Sequence, residues 1–124
     1  MELGESKEDY LETIYVLSLK KDKIVRVLDV AVEMNVTKAS ACLAVKKLTE
    51  LGYLIRGVDH EIFLTEKGSE LGKRIYDRYH FWNSLLTKLG IEGETAKEDA
   101  CHMEHVLCDE SFYIFKAYID KTFA

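Results

Sequence analysis

Residues 28–64 read LDVAVEMNVTKASACLAVKKLTELGYLIRGVDHEIFL, and this stretch decides the fold. LDVAVEMN (28–35) has the period of a short helix, with Leu28, Ala31 and Met34 expected to face inward. Asn35-Val36-Thr37 makes a tight turn, and the Thr37 hydroxyl is placed to cap the helix that follows. That helix, KASACLAVKKLTEL, offers Leu43, Val45, Leu48 and Leu51 for packing, and Gly52 ends it. Two helices a few residues apart, the second opening on small side chains, form the helix-turn-helix pattern. Tyr53–Arg56 and Glu61–Leu64 are β-prone runs flanking Gly57-Val58-Asp59-His60, which reads as a hairpin. Helix-turn-helix followed directly by a hairpin is a winged helix.

Upstream, SKEDYLETIYVLSLK (6–20) carries a helical stripe of Tyr10, Leu11, Ile14, Tyr15 and Leu17, with Ser6 as the expected N-cap. KKDK (20–23) is a polar turn, and IVRV (24–27) is either a brief strand or the approach to the next helix. Downstream, Thr65 caps a long helix from about Glu66 to Leu89, weakened at Gly68 and Gly72 and open to a break near Asp77–His80. A loop over 89–95 precedes a helix from Thr95 to about Cys108, and Asp109 caps the last, ESFYIFKAYIDKTF. Phe112, Ile114, Phe115, Tyr118 and Ile119 give that last helix more apolar surface than a lone surface helix needs, so a homodimer interface is expected. The chain is thus expected to be mainly α with a small β-wing. A winged helix-turn-helix DNA-binding domain occupies 1–70, and a helical dimerisation domain occupies 71–124.

Composition fits a folded chain: 124 residues, 48% hydrophobic and 31% charged, outside the disordered range. Three cysteines, Cys42, Cys101 and Cys108, are too few and too irregular for a disulfide framework and read as reduced thiols. The acidic N-terminus is not a secretory signal, and no run approaches the roughly 18 apolar residues that span a bilayer. A cytoplasmic protein without a membrane partner is expected, ending at Ala124 without a further C-terminal module. The net charge of −5 would argue against nucleic acid if it were evenly spread. Residues 36–56, however, hold Lys38, Lys46, Lys47 and Arg56 against Glu50 alone. The N-terminal part of the second helix would enter the major groove of operator DNA with Thr37, Lys38, Ala39, Ser40 and Leu43. Lys46, Lys47 and Arg56 would meet phosphates, although taken singly the two lysines read as a solvated helix face. The wing tip has little positive charge to add.

In TAKEDACHMEHVLCDE (95–110), Cys101, Glu104 and His105 stand at i, i+3 and i+4, on one face of a helix. A thiol, a carboxylate and an imidazole converging there resemble half of a transition-metal site. The first helix offers Asp9 and Glu12 at i and i+3 for the rest. Taken alone, Cys101 reads first as a small buried core residue, and Asp9 and Glu12 as solvated charges in a first helical turn.

EDYLETIY (8–15), NVTKASACLAVKKLTELGYL (35–54), LTEKG (64–68) and EDACHMEHVLCDE (98–110) together resemble the DtxR/MntR family of iron- and manganese-dependent repressors. The resemblance covers about Glu8 to Phe112. It implies that Asp9, Glu12, Cys101, Glu104 and His105 are metal ligands, with Asp9 and Glu12 matching the manganese branch and Cys101 the iron branch. The implied cofactor is a divalent transition metal, Mn²⁺ or Fe²⁺ first, with Zn²⁺ or Co²⁺ also served by thiol and imidazole donors. The family's histidine in the long helix aligns with Tyr79, and the chain's own histidine comes one place later, at His80. Either local distortion brings His80 to the metal or that ligand is missing, because one helical step turns a side chain by about 100°. Asn83 and Lys97 replace the ancillary ligands of the iron branch.

The resemblance implies metal-gated repression of metal-homeostasis genes. The alternatives are a winged-helix regulator with lost or altered gating, or a small zinc hydrolase using Glu12 or Glu104 as base. The hydrolase lacks any signal for a small-molecule substrate pocket, and a Cys101–His105 nucleophile pair lacks an orienting third group. An enzyme is not expected.

Overall fold

The computed structural model describes residues 3–20 and 24–123, without the Phe123 side chain. The KKDK turn therefore lies largely outside the described residues. In chain order the elements are α1 (Glu5–Ser18), β1 (Val25–Arg26), α2 (Val27–Met34), α3 (Lys38–Glu50), β2 (Leu54–Arg56), β3 (Glu61–Leu64), α4 (Glu66–Lys88), α5 (Gly93–Met103) and α6 (Asp109–Phe123). The winged helix is present. α2 and α3 form the helix-turn-helix, and the three strands form an antiparallel sheet in the order β1-β3-β2.

Local chemistry sets the junctions. Asn35 ends α2 in the left-handed region (φ 55°), and the Thr37 hydroxyl accepts the Ser40 N–H at 3.1 Å to start α3. Gly52 (φ 88°) follows α3, as its sequence position implies. In the wing turn, Asp59 and His60 both have positive φ, and the Glu61 N–H bonds the Val58 carbonyl at 3.0 Å. That pairing matches the twist of the flanking strands. IVRV resolves into the short edge strand β1, with Val25 opposite Ile62.

Several boundaries differ from the sequence expectation. Gly4, not Ser6, is the N-cap of α1. Leu28 is exposed, and Val27 and Val30 join Ala31 in the core instead, because α2 begins one residue earlier than expected and its inward face is rotated accordingly. Leu43 is 71% exposed, so of its two assigned roles only the outward one fits. α4 runs unbroken through Asp77–His80. α5 starts at Gly93 and ends at Met103, ahead of the expected Cys108.

Two hydrophobic clusters result, and α4 passes through both. The first joins α1 (Leu11, Ile14), α2, α3 (Val45, Leu48) and the sheet to Leu71 and Ile75. The second gathers Trp82, Leu85, Leu86, Ala96, Ala100 and Phe112. They part between Ile75 and Trp82, inside a helix, so no linker separates the halves.

The glycines that weaken α4 in isolation are what allow it to dock. A Cβ on Gly68 would stand 2.0 Å from the Tyr53 carbonyl oxygen, and one on Gly72 would stand 2.8 Å from the Tyr15 Cβ. The same junction satisfies the end of α3, since the Thr65 hydroxyl donates to the Gly52 carbonyl and Lys67 to that of Leu51. Gly68→Ala is therefore expected to destabilise the fold by about 2 kcal/mol or more, the scale of forced overpacking. Urea unfolding measures it, and an unchanged midpoint would contradict the close approach.

Candidate functional site

Between the two clusters lies a polar layer supplied by α1, α4 and the end of α5. The chain past Met103 stays coiled for another turn, through the bonds Glu104 N–H to Ala100 (3.1 Å) and His105 N–H to His102 (3.2 Å). Cys101, Glu104 and His105 thus keep a common face although α5 has ended. That face meets α1. One ligand atom each from Asp9, Cys101, Glu104 and His105 lies within 4.8 Å of the others.

Glu104 is the unusual member. It is fully buried, and neither carboxylate oxygen has a hydrogen-bond partner. His105 Nε2 is 3.1 Å from one of them, an ion-pair distance without hydrogen-bond geometry. A dry carboxylate in this state is strongly unfavourable unless it takes up a proton or a cation faces it, and burial pushes the Glu104 pKa up. The donor set of two carboxylates, a thiol and an imidazole fits a divalent transition metal.

His105 is gripped from both sides: Nδ1–H donates to Glu8 Oε1 at 2.7 Å and Nε2–H to Asp9 Oδ1 at 2.8 Å. Burial opposes its positive charge, but the interactions with Asp9, Cys101, Glu104 and Glu8 outweigh burial and hold its pKa well above the imidazole range. Glu12 is pushed up to about 8 by burial and by the neighbouring charges of Glu104 and Asp9. The Cys101 thiol donates to Asp9 at 3.9 Å. The bond to His105 lowers its pKa, but burial and the carboxylates raise it further, leaving a net rise. In this state protons stand where a metal would compete for the same atoms.

Of the expected ligands, Asp9, Cys101, Glu104 and His105 come together, and Glu12 lies beside them within interaction range of Glu104. His80 does not join them. It is exposed and packs edge-on against the Tyr76 ring at 4.2 Å, because an undistorted α4 turns it away. Tyr79 faces the site instead, lining with Glu12, Thr13, Val16, Glu33, Tyr76 and Cys101 a cavity of about 200 Å³. Burial and then the charges of Glu12, Cys101 and Glu104 raise its pKa.

Sequence reasoning missed Glu8, which is fully buried and holds the far nitrogen of His105 as carboxylates hold metal-binding histidines. Its signal was the i, i+3, i+7 series Glu5, Glu8, Glu12 along α1. Glu5 bonds His102 at 2.7 Å, so His102 belongs to the same α1–α5 contact at its exposed edge.

On the other side of the first cluster, Thr37, Lys38, Ala39, Ser40, Leu43, Lys46, Lys47 and Arg56 are all exposed. Cys42 is half-buried, with no functional reading.

Fold and cluster together define a winged-helix DNA-binding regulator with a metal-binding, dimerising second half. Residues 2–59 match the iron dependent repressor N-terminal DNA binding domain, and residues 65–122 match the iron dependent repressor metal binding and dimerisation domain. The chain belongs to the iron dependent repressor (DtxR/MntR) family of metal-dependent transcriptional repressors. It is 34% identical over 120 residues to an uncharacterized HTH-type transcriptional regulator of Methanocaldococcus jannaschii, covering 96% of each chain. It is 35% identical over 102 residues to the HTH-type transcriptional regulator MntR of Lysinibacillus sphaericus, covering 82% of this chain and 73% of that one. The solved manganese regulator SloR superposes with a TM-score of 0.76 at 28% identity, covering 94% of this chain and 52% of that one. The chain thus spans about half the length of that solved relative. These relatives are transcriptional regulators rather than enzymes. Among the described residues, no helix is long and apolar enough to cross a membrane.

The raised pKa values fix the pH dependence of the metal-free fold. Between about pH 4.5 and 8 the folded chain keeps the Glu12 proton that the unfolded chain has lost, and above about 6.5 it keeps that of His105. Both make stability fall as pH rises. In EDTA the urea midpoint is expected to drop from pH 5 to pH 8.5, less steeply in Glu12→Gln. A midpoint rising over that range would contradict the assignment.

Proposed function

We propose that Asp9, Glu12, Cys101, Glu104 and His105 hold a divalent cation, Mn²⁺ or Fe²⁺ in the cell, that gates DNA binding by a homodimer. The observation carrying this reading is the buried Glu104 carboxylate, without a well-formed hydrogen bond and set among three other donors. The cation would take the place of the single positive charge of His105 beside Glu104 and displace protons from His105, Glu12 and Cys101, so affinity rises with pH. His80 is left out of the ligand set.

The cation bridges α1 to the turn after α5. Because α1 shares its core with α3, fixing α1 against the second half fixes the reading helix against the dimer axis. The exposed Tyr113, Ile114, Phe115 and Tyr118 of α6 supply the subunit interface. Two reading helices then fit half-sites about one DNA turn apart. Without the cation the carboxylates repel one another, and the heads take other orientations. A few kcal/mol of preference for the DNA-competent state makes a working switch. On DNA, Thr37, Lys38, Ala39, Ser40 and Leu43 face the major groove, and Lys46, Lys47 and Arg56 face phosphates. The regulated genes are those of manganese or iron homeostasis.

Fluorescence anisotropy of a duplex from the gene's own upstream region tests the reading, comparing EDTA with Mn²⁺, anaerobic Fe²⁺ and Zn²⁺. Tight binding only with cation is expected, together with its loss in Glu104→Ala and His105→Ala. Equal binding in EDTA would sink the gating and leave a winged-helix regulator without it. Separately, Lys46→Ala and Lys47→Ala are expected to weaken binding about equally across sequences. Each phosphate that is no longer neutralised should reduce the salt slope by about 0.9. An unchanged slope would remove these lysines from the DNA surface.

A further inference from the structure

Arg78 is the one lysine or arginine buried among the described residues. It sits in α4 where the two hydrophobic clusters part, with its side chain 3% exposed. Nη1 donates to Asp109 Oδ1 at 2.9 Å, Nη2 donates to the Leu107 carbonyl, and the guanidinium carbon lies 4.4 Å from the centre of the Phe112 ring. Arg74, one turn earlier, donates to the second Asp109 oxygen at 2.8 Å. All three anchors of Arg78 fall just past Glu104 and His105, across the join between α5 and α6.

His105 is tied to α1, and Met103 and Leu107 pack on the second cluster, but the backbone of the join itself is loosely bonded. α5 has ended at Met103, and the backbone bonds of His105 to His102 and Val106 to Met103 are long, at 3.2 and 3.3 Å. A planar guanidinium in a dry setting fixes two acceptors in one geometry, which a flexible ammonium cannot do. Burying such a charge is costly, and a turn with only a structural task could be held by apolar packing.

We infer that Arg78 is a positioning residue for the cation site: through Leu107 and Asp109 it keeps the turn that presents Glu104 and His105 toward Asp9 and Cys101. This rests on the cation site proposed above. Arg78 makes its hydrogen bonds to Leu107 and Asp109 rather than to any proposed ligand, so it acts through the turn. The same grip seats the first turn of α6, so the ligands and the dimer face move as one piece.

Co²⁺ titration followed by absorption spectroscopy tests this, because thiolate-to-cobalt and d–d bands report ligand geometry as well as occupancy. Arg78→Met is expected to weaken Co²⁺ binding about 10- to 100-fold, the range for residues that support metal ligands, and to shift the bands. Arg78→Lys should recover part of both. Leu85→Ala, which opens a cavity in the second cluster but removes none of the Arg78 bonds, should lower the melting temperature while leaving affinity and bands as in the parent. Should Arg78→Met fail to fold, Asp109→Asn carries the same expectation in milder form. Parent affinity and bands in Arg78→Met or Asp109→Asn, or equal changes in Leu85→Ala, would overturn the inference. Failure of the parent itself to bind Co²⁺, or parent-like binding by Glu104→Gln, would instead overturn the cation site.

Discussion

An ionised carboxylate removed from water needs a positive partner, and the buried Glu104 side chain imposes that requirement on this fold. Around it stand Asp9, Glu12 and Cys101, groups that add negative charge or can acquire it. The cationic His105 ring answers in part, held between Glu8 and Asp9, but it does not complete a hydrogen bond to either Glu104 oxygen. Protons on His105 and Glu12 keep the arrangement tolerable. A divalent cation would satisfy it outright.

The hydrophobic clusters supply the frame for this layer. Each is ordinary packing, and α4 threads them in one unbroken helix. The side-chain bonds that join α1 to the end of α5 are polar: Glu5 to His102, Glu8 and Asp9 to His105, and Cys101 to Asp9. A contact made of charges responds to an ion far more than an apolar one does. Its two sides belong to different tasks, since α1 is built into the DNA-reading head and α5 leads directly into α6.

The winged helix was legible because its signals are local. Thr37 caps, Gly52 stops a helix, and the alternation across Leu54–Leu64 needs a hairpin at Val58–His60. The convergence of Cys101, Glu104 and His105 followed from spacing alone, and it survives the early end of α5 because the next turn remains coiled. What failed was the face of α2, where Leu28 and Val27 are equally apolar and only the start of the helix decides which is inside. His80 was ambiguous for a related reason: one residue of phase in α4 separates it from Tyr79, and the unbroken helix turns Tyr79 toward the cavity. The carboxylate series of α1 marked Glu8 only as one of a row, and the partners of Glu8 and Arg78, 97 and 31 residues away, could not be read from spacing. Gly68 and Gly72 looked like weaknesses because their neighbours, Tyr53 and Tyr15, are invisible to local propensity.

Anomalous diffraction from crystals of the protein loaded with Mn²⁺, recorded on both sides of the metal edge, tests most directly the claim that a cation answers the buried carboxylate. The account predicts one strong anomalous peak bonded to Glu104, with Asp9, Glu12, Cys101 and His105 in its coordination shell and His80 outside it. A manganese peak elsewhere, with Glu104 still dry and without a metal partner, would contradict it.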